Sequence, residues 1–156
     1  YDRGLGAKQD YAEAVHWYQK AAEQGYADAQ LNLGFMHHAS RGGKQDYVKA
    51  VRWFRRAAEQ GNAHAQFNLG SMYANGEGVQ QNQAEAVRWY RMAAEQGDAP
   101  AQYNLGNSYA NGEGVAKDTI EAAKWYRKAA DQGDAGSQWS LGTMRTDAMR
   151  QIHAQG

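Results

Sequence analysis

Residues 84–114, AEAVRWYRMAAEQGDAPAQYNLGNSYANGEG, contain one complete copy of a pattern that recurs along most of the chain. A tryptophan, a glutamine and two glycines return at intervals of 36 residues: Trp17, Trp53, Trp89 and Trp125; Gln30, Gln66, Gln102 and Gln138; Gly25, Gly61, Gly97 and Gly133; Gly34, Gly70, Gly106 and Gly142. Self-similarity at such a period is typical of stacked repeats, each of which contacts its neighbours. The sequence therefore predicts a repeat array rather than a globule with one closed core.

Each repeat is predicted to form two helices that pack as a hairpin. In the quoted copy, apolar residues at helical spacing mark the first helix: Ala86, Trp89, Tyr90, Ala93 and Ala94. Gly97 is predicted to end this helix, because glycine adopts the left-handed conformation without a steric penalty. The second helix is predicted to start at Asp98, to approach the first helix closely at Gly106, and to stop in the turn 111–114.

Helix starts are marked by an acid or amide that is followed by glutamate three residues later. These capping boxes are Asp10 with Glu13, Asn82 with Glu85, and Asp118 with Glu121. Asp46 keeps the cap, but Lys49 stands where the glutamate would be, which predicts a weaker helix start. Helices of about 13 residues are marginal alone, so packing between neighbours must supply the stability.

The four tryptophans are predicted to join successive hairpins. A buried indole removes about 150–250 Å² from water. At about 25 cal/mol/Å² this burial contributes roughly 4–6 kcal/mol before ordering costs. We therefore expect all four rings to be packed against neighbouring repeats.

Charge composition limits the partners that the chain is expected to bind. Lys plus Arg equals Asp plus Glu at 17 each, whereas nucleic acid and anionic membrane surfaces require a basic field. No apolar run is long enough for membrane insertion. Basic residues of the first helices are followed four positions later by an acid, which predicts a solvated face of ion pairs: Arg55 with Glu59, Arg91 with Glu95, and Arg127 with Asp131.

The sequence offers no pattern typical of catalysis or of cofactor and metal binding. There is no cysteine, and His37 and His38 are adjacent, a spacing that does not converge on a metal ion. The sequences Gly76-Glu77-Gly78 and Gly112-Glu113-Gly114 follow predicted helices and lack a third glycine, so they indicate turns rather than phosphate loops. We therefore predict a protein that is not an enzyme and has no catalytic, cofactor or metal site.

Residues 65–79, AQFNLGSMYANGEGV, and 85–97, EAVRWYRMAAEQG, closely resemble the Sel-one-like repeat (SLR), a relative of the tetratricopeptide repeat. The resemblance covers about residues 1–144, beginning inside a repeat, and residues 145–156 are expected to be a tail or a capping helix. It implies a right-handed α/α superhelical solenoid that serves as a bacterial adaptor. It leaves open a periplasmic or exported location and a cytoplasmic one.

The resemblance also implies where a partner would bind. In tetratricopeptide-like solenoids, the helix that begins Ala-Gln-x-Asn-Leu-Gly lines a concave groove. Residues of these helices that are not needed for packing then form the candidate groove: Asn32, Phe35, His64, Phe67, Asn68, Ser71, Tyr103, Asn104, Asn107 and Trp139. A protein or peptide is the expected partner, and the groove would hold an extended peptide or a partner domain.

Two features of this groove have alternative interpretations. Asn32, Asn68 and Asn104 would present amides to a peptide backbone, or they support local helix contacts. The aromatic residues Phe67, Tyr103 and Trp139 would receive apolar side chains or sugar rings, or they pack between neighbouring helices. Binding of a carbohydrate or of cell-wall glycan is therefore the alternative function.

Overall fold

The computed structural model describes residues 3–39 and 45–154, with side chains described for 11–39 and 45–150. Within these ranges the chain forms eight α-helices and no strand: α1 Arg3–Glu23, α2 Ala27–His38, α3 Tyr47–Glu59, α4 Ala63–Asn75, α5 Gln83–Glu95, α6 Ala99–Asn111, α7 Thr119–Asp131 and α8 Ala135–Ala154. They form two compact units, residues 1–82 with α1–α4 and residues 83–156 with α5–α8. Consecutive helices within each unit pack together, which confirms the predicted all-α repeat of helical hairpins.

Glycine ends the first helix of each hairpin, as predicted. Gly61 has a φ of +92° and donates its N–H to the Ala58 carbonyl at 3.0 Å. The next residue, Asn62, donates to the Ala57 carbonyl at 3.1 Å, which completes a Schellman motif. The Asn62 side chain then accepts the Ala65 N–H at 2.9 Å and caps α4. The equivalent turn of the second unit has the same bonds, so the hairpin turn is encoded locally.

The predicted helix starts are correct at Asp46 and Asp118 and wrong at Asp10. Asp46 accepts the Lys49 N–H at 3.0 Å, and Asp118 accepts two backbone N–H groups at the start of α7. Helix α1 begins upstream of Asp10 and passes through it. Residues 3–9 contain no proline, and the helix runs through Gly4 and Gly6 as well as through good helix formers such as Leu5 and Ala7.

The recurrent glycine of the second helices forms a close contact with the following hairpin. A Cβ atom on Gly106 would lie 2.7 Å from ring carbons of Tyr126 in α7, and one on Gly34 would lie 2.4 Å from the Phe54 ring in α3. The predicted close approach at Gly106 is therefore confirmed. Its partner, however, is the first helix of the next hairpin rather than the helix of its own hairpin.

The tryptophans do not all have the predicted packing role. Trp53 packs against the apolar cluster at the α1–α2 contact, Trp89 is only 5% exposed, and Trp125 is half-buried. Trp17, by contrast, is 58% exposed, so the prediction of four packed rings is wrong at this position. The described helix α1 packs mainly on α2, and the Lys20 ammonium lies 4.9 Å from the exposed Trp17 ring.

The recurrent glutamines form a buried amide network within each unit. Gln30 donates to the Ala22 carbonyl at 3.0 Å and accepts a hydrogen bond from Gln60 at 2.8 Å. The same contacts recur in the second unit, at 3.1 Å and 2.9 Å, among Ala94, Gln102 and Gln132. Because the glutamine bridges the end of one helix and the next hairpin, it satisfies buried polar groups that would otherwise be costly.

The segment that was expected to be a tail or a capping helix continues the last helix. Helix α8 runs to Ala154 without a glycine turn, so residues 145–154 form its final turns. None of the described helices combines the length and apolar character required to cross a membrane.

Candidate functional site

The predicted groove residues lie on two faces, one in each unit. The first face consists of Asn32 and Phe35 on α2 and His64, Phe67, Asn68 and Ser71 on α4. Helices α2 and α4 both pack on α3, and the Asn62 side chain at the start of α4 donates to Asp28 on α2 at 3.2 Å. The second face consists of Tyr103, Asn104 and Asn107 on α6 and Trp139 on α8.

An open depression of about 450 Å³ lies at the α2 end of the first face. Its lining consists of Tyr11, Tyr18, Asn32, Phe35, Met36 and Ala39. Phe35 is 42% exposed, and its inner edge is held by an edge-to-face contact with Phe54 at 5.3 Å between ring centroids. The depression therefore combines a fixed aromatic wall with an amide.

The residues that α1 contributes to this depression, Tyr11 and Tyr18, were not predicted as groove residues. Tyr18 shares its repeat position with Phe54, Tyr90 and Tyr126, whose burial makes that position look like core. On α1 the same position is partly exposed and lines the depression together with Tyr11. The sequence signal that could have identified Tyr11 and Tyr18 was their position on α1, in the first hairpin. Trp17 on the same helix is exposed as well.

Polar residues of α4 are partly engaged by their own helix. The Asn68 Nδ2 atom donates to the His64 carbonyl at 2.7 Å, and the Ser71 hydroxyl donates to the Phe67 carbonyl at 3.2 Å. This is the local contact that we considered for the asparagine row. Since an amide has two donor hydrogens and an acceptor, one such bond does not use its full capacity.

On the second face, Tyr103 and Asn107 contribute to helix packing. The Tyr103 and Tyr126 ring centroids are 5.9 Å apart, and a Cβ atom on Gly136 would lie 3.2 Å from the Tyr103 ring. The Tyr126 hydroxyl donates to Asn107 Oδ1 at 2.7 Å. Burial raises the pKa of Tyr126, nearby Tyr103 raises it further, and a hydrogen bond with Ser140 lowers it. These contacts hold α6, α7 and α8 together.

Trp139 differs from the other aromatic residues of the second face. Its side chain is 71% exposed on α8, whereas Tyr103 and Asn104 are half-buried. The predicted aromatic stripe is thus represented here by one packed ring and one exposed ring. Only the exposed indole presents a whole aromatic face to solvent.

Arg55 and Arg91 bind tyrosines rather than forming the predicted ion pairs with Glu59 and Glu95. Arg55 donates to the Tyr73 hydroxyl and Arg91 to the Tyr109 hydroxyl, both at 2.6 Å. Each bond joins the two helices of one hairpin, so these guanidinium groups have a structural role. Among the described residues, no group of three or more His, Cys, Asp or Glu side chains could hold a metal ion.

Recurrent helical hairpins, glycine-defined turns and a repeated amide network define a helical-repeat scaffold. A family model described as Sel1 repeat matches residues 1–26, 27–62, 63–98 and 99–134. The chain belongs to the Sel1 repeat family.

Solved structures support the same assignment. A protective antigen of uropathogenic Escherichia coli, c5321, with an SLR fold, is 44% identical over 85% of this chain, with a TM-score of 0.84. A Sel1 repeat protein from Oxalobacter formigenes is 38% identical over 81% of the chain, with a TM-score of 0.73. Helicobacter pylori cysteine rich protein B is 25% identical over 86% of the chain and matches over 96% of its own length, with a TM-score of 0.68.

The chain spans 28% of the E. coli protein and 51% of the Oxalobacter protein. No curated protein matches the sequence significantly.

Proposed function

We propose that this chain is a non-enzymatic scaffold that binds an extended peptide or a partner domain through its first and second faces. The Sel1 repeat is a scaffold fold commonly used for protein–protein interaction. Rigid helices carry the side chains of both faces, so a partner would meet a preformed surface and lose little free energy in ordering it.

The depression on the first face is the observation that carries this proposal. Asn32 supplies amide hydrogen-bonding groups beside the aromatic rings of Phe35 and Tyr18. An apolar side chain of a peptide would enter between the rings, while its backbone would bond to the amide. Aromatic anchors in preformed pockets account for much of the binding energy at protein interfaces.

The first test selects peptides from a random displayed library with the wild-type chain and measures their affinities for variants. We expect Phe35→Ala to weaken binding by about tenfold or more, as is typical when an aromatic contact of about 1.4 kcal/mol is lost. Arg88→Ala, at an exposed site on α5, is the matched control and should leave the affinity unchanged. Peptides that bind Phe35→Ala and wild type equally well would place the binding surface elsewhere.

A double variant tests the asparagine row. Asn68→Ala with Asn104→Ala should weaken binding of the selected peptides while the far-UV circular dichroism keeps its helical signal. The Asn68 bond to the His64 carbonyl lies within one helix, so its loss should affect stability little. Unchanged affinity in the double variant would assign the asparagines to local helix contacts alone.

Carbohydrate binding is a second candidate function, favoured by the exposed indole of Trp139. Aromatic rings stack on the apolar faces of sugars, and Tyr103 lies on the same face of the second unit. Titration with cell-wall glycan fragments should change the Trp fluorescence of the wild type but not that of Trp139→Ala. An identical response in both proteins, or none in either, would remove this candidate.

A further inference from the structure

A cleft between α7 and α8 is lined by residues that are not used in the proposed function. Its volume is about 980 Å³. Its lining combines apolar side chains, Ala123 and Trp125 from α7 and Met144 and Ala148 from α8, with charged ones of both signs: Lys117, Lys124, Arg127, Lys128, Glu121, Asp131 and Asp147. The cleft shares no residue with the first or second face.

The equivalent position in the first unit shows what this cleft is shaped to hold. Ala123 and Met144 correspond in repeat register to Val15 and Met36, three repeats earlier. Val15 and Met36, like Trp53, pack against the buried cluster of Ala22, Ala29 and Leu33 at the α1–α2 contact. The surface that receives the tryptophan of the following hairpin is therefore present again on α7 and α8.

Helix α1 carries the complementary group. Trp17 is 58% exposed and Tyr18 is 37% exposed, although the equivalent Trp53 is half-buried and the equivalent Phe54 is fully buried. The exposed aromatic pair lies on α1, and the open cleft lies between α7 and α8. Inside the chain, the equivalents of these two surfaces meet where one hairpin packs on the next.

We propose that the α7–α8 cleft binds helix α1 of a second copy of this chain, with Trp17 entering the cleft as Trp53 enters the α1–α2 cluster. The contact is heterologous, because two different surfaces meet. It extends between copies the packing that already joins α3 to the first hairpin.

Charge complementarity favours helix α1 as the occupant of this cleft. The contact to compare is that of α3 with the first hairpin. In the first unit, Lys49 of α3 and His37 of α2 line one cavity, and the pKa of His37 is lowered by burial and then by Lys49. On α8, the repeat position of His37 is held by Arg145, next to the cleft residue Met144, and on α1 the position of Lys49 is held by Glu13. Docking of α1 would therefore bring a carboxylate to an arginine, where the first unit has an ammonium group beside an imidazole.

A second arginine adds to this complementarity. In the hairpins α3–α4 and α5–α6, the repeat position of Arg127 holds an arginine and that of Arg145 holds a tyrosine. The arginine donates to the tyrosine hydroxyl, as Arg55 does to Tyr73. Arg127 and Arg145 cannot form that bond with each other, and neither takes part in an ion pair in the described chain. Glu13 of the docked helix would offer these two arginines a carboxylate partner.

Sedimentation velocity over a range of protein concentrations provides the test. The wild type should associate as its concentration rises, and Trp17→Ala should weaken this association by about tenfold or more. Ala148→Glu should have the same effect, because it places a carboxylate in the apolar cleft near the expected position of Glu13. Both changed side chains are exposed, so circular dichroism should show intact helices in either variant.

Mixing the two variants separates this contact from other modes of association. Trp17→Ala keeps an intact cleft and Ala148→Glu keeps an intact α1, so their mixture should form a heterodimer that neither variant forms alone. Glu13→Arg should weaken association, and Glu13→Arg with Arg145→Glu should restore it. A wild type that stays monomeric overturns the proposal and gives the cleft to another occupant, such as a further repeat. Association that Trp17→Ala leaves unchanged also overturns it.

Discussion

At the scale of single residues, the recurrent glutamine shows how much can be inferred from a repeat and where inference stops. Its interval placed Gln30, Gln66, Gln102 and Gln138 at one structural position. The interval could not show that the amide joins a helix end to the next hairpin, because that depends on which carbonyl lies within reach. The structure supplies the two partners, and they explain why an amide is retained at a buried site.

We predict that Gln102→Ala lowers the free energy of unfolding by about 1–3 kcal/mol, because the buried Ala94 carbonyl and the Gln132 amide lose a partner. Gln138→Ala is the matched control. Gln138 makes the equivalent bond to the Ala130 carbonyl at 3.2 Å but is exposed, so water can replace it. Urea denaturation measures both changes, and equal losses would contradict a role that depends on burial.

The lowered pKa of His37 predicts a pH dependence of stability. Unfolded histidine has the ordinary value of 6.5, and burial followed by the charge of Lys49 lowers the folded value, with Asp46 acting in the opposite direction. The unfolded chain therefore binds more protons at this site as pH falls below 6.5, and the folded state loses stability until the folded pKa is passed.

His37→Gln should remove this contribution. The denaturation midpoint of the wild type, relative to that of the variant, should fall as the pH is lowered through this window. Taking the difference between the two proteins cancels the effects of the other histidines. A difference that is independent of pH would mean that His37 has the same pKa in both states.

At the scale of helices, turn signals were predictive at the ends of the first helices but not at Gly4 and Gly6, which are in register with the turn glycines Gly76 and Gly78 and lie inside α1. Gly61 and Asn62 marked the end of one helix and the start of the next, because the relevant bonds are local. The predicted start at Asp10 failed because α1 begins upstream of it, and residues 145–154, which lack a glycine turn, continue α8. Register also predicted close helix approach at Gly106 but not its partner, since sequence spacing does not say which hairpin packs there.

Two glycines at the same repeat position should respond oppositely to alanine. Gly106→Ala would place a Cβ atom 2.7 Å from the Tyr126 ring and should cost about 1–3 kcal/mol of stability. Gly142 lies inside α8, and a Cβ atom added there would have no neighbour within 4 Å, so Gly142→Ala should stabilise the chain by about 0.5–1 kcal/mol through helix propensity. Thermal unfolding distinguishes the two, and a stabilising Gly106→Ala would contradict the close contact with α7.

At the scale of the whole molecule, an identical interval does not give identical environments. The sequence predicted four equivalent tryptophans, yet Trp89 is buried and Trp17 is exposed. Burial of such a ring depends on a neighbouring hairpin, which the residue itself cannot encode. The same limit applies to the candidate faces, where the sequence left partner binding and local helix contacts open for Asn68 and the structure shows its bond to the His64 carbonyl.

This difference between the tryptophans predicts unequal effects of their removal. Trp89→Ala should lower the free energy of unfolding by about 3–5 kcal/mol and broaden the thermal transition, because each repeat depends on contacts with its neighbours. Trp17→Ala should cost under about 1 kcal/mol at a protein concentration too low for self-association. Calorimetry at low and high protein concentration should then show that Trp17→Ala lowers the stability appreciably only at concentrations where copies of the chain associate. A large loss of stability for Trp17→Ala in the dilute monomer would mean that its ring is packed within the chain.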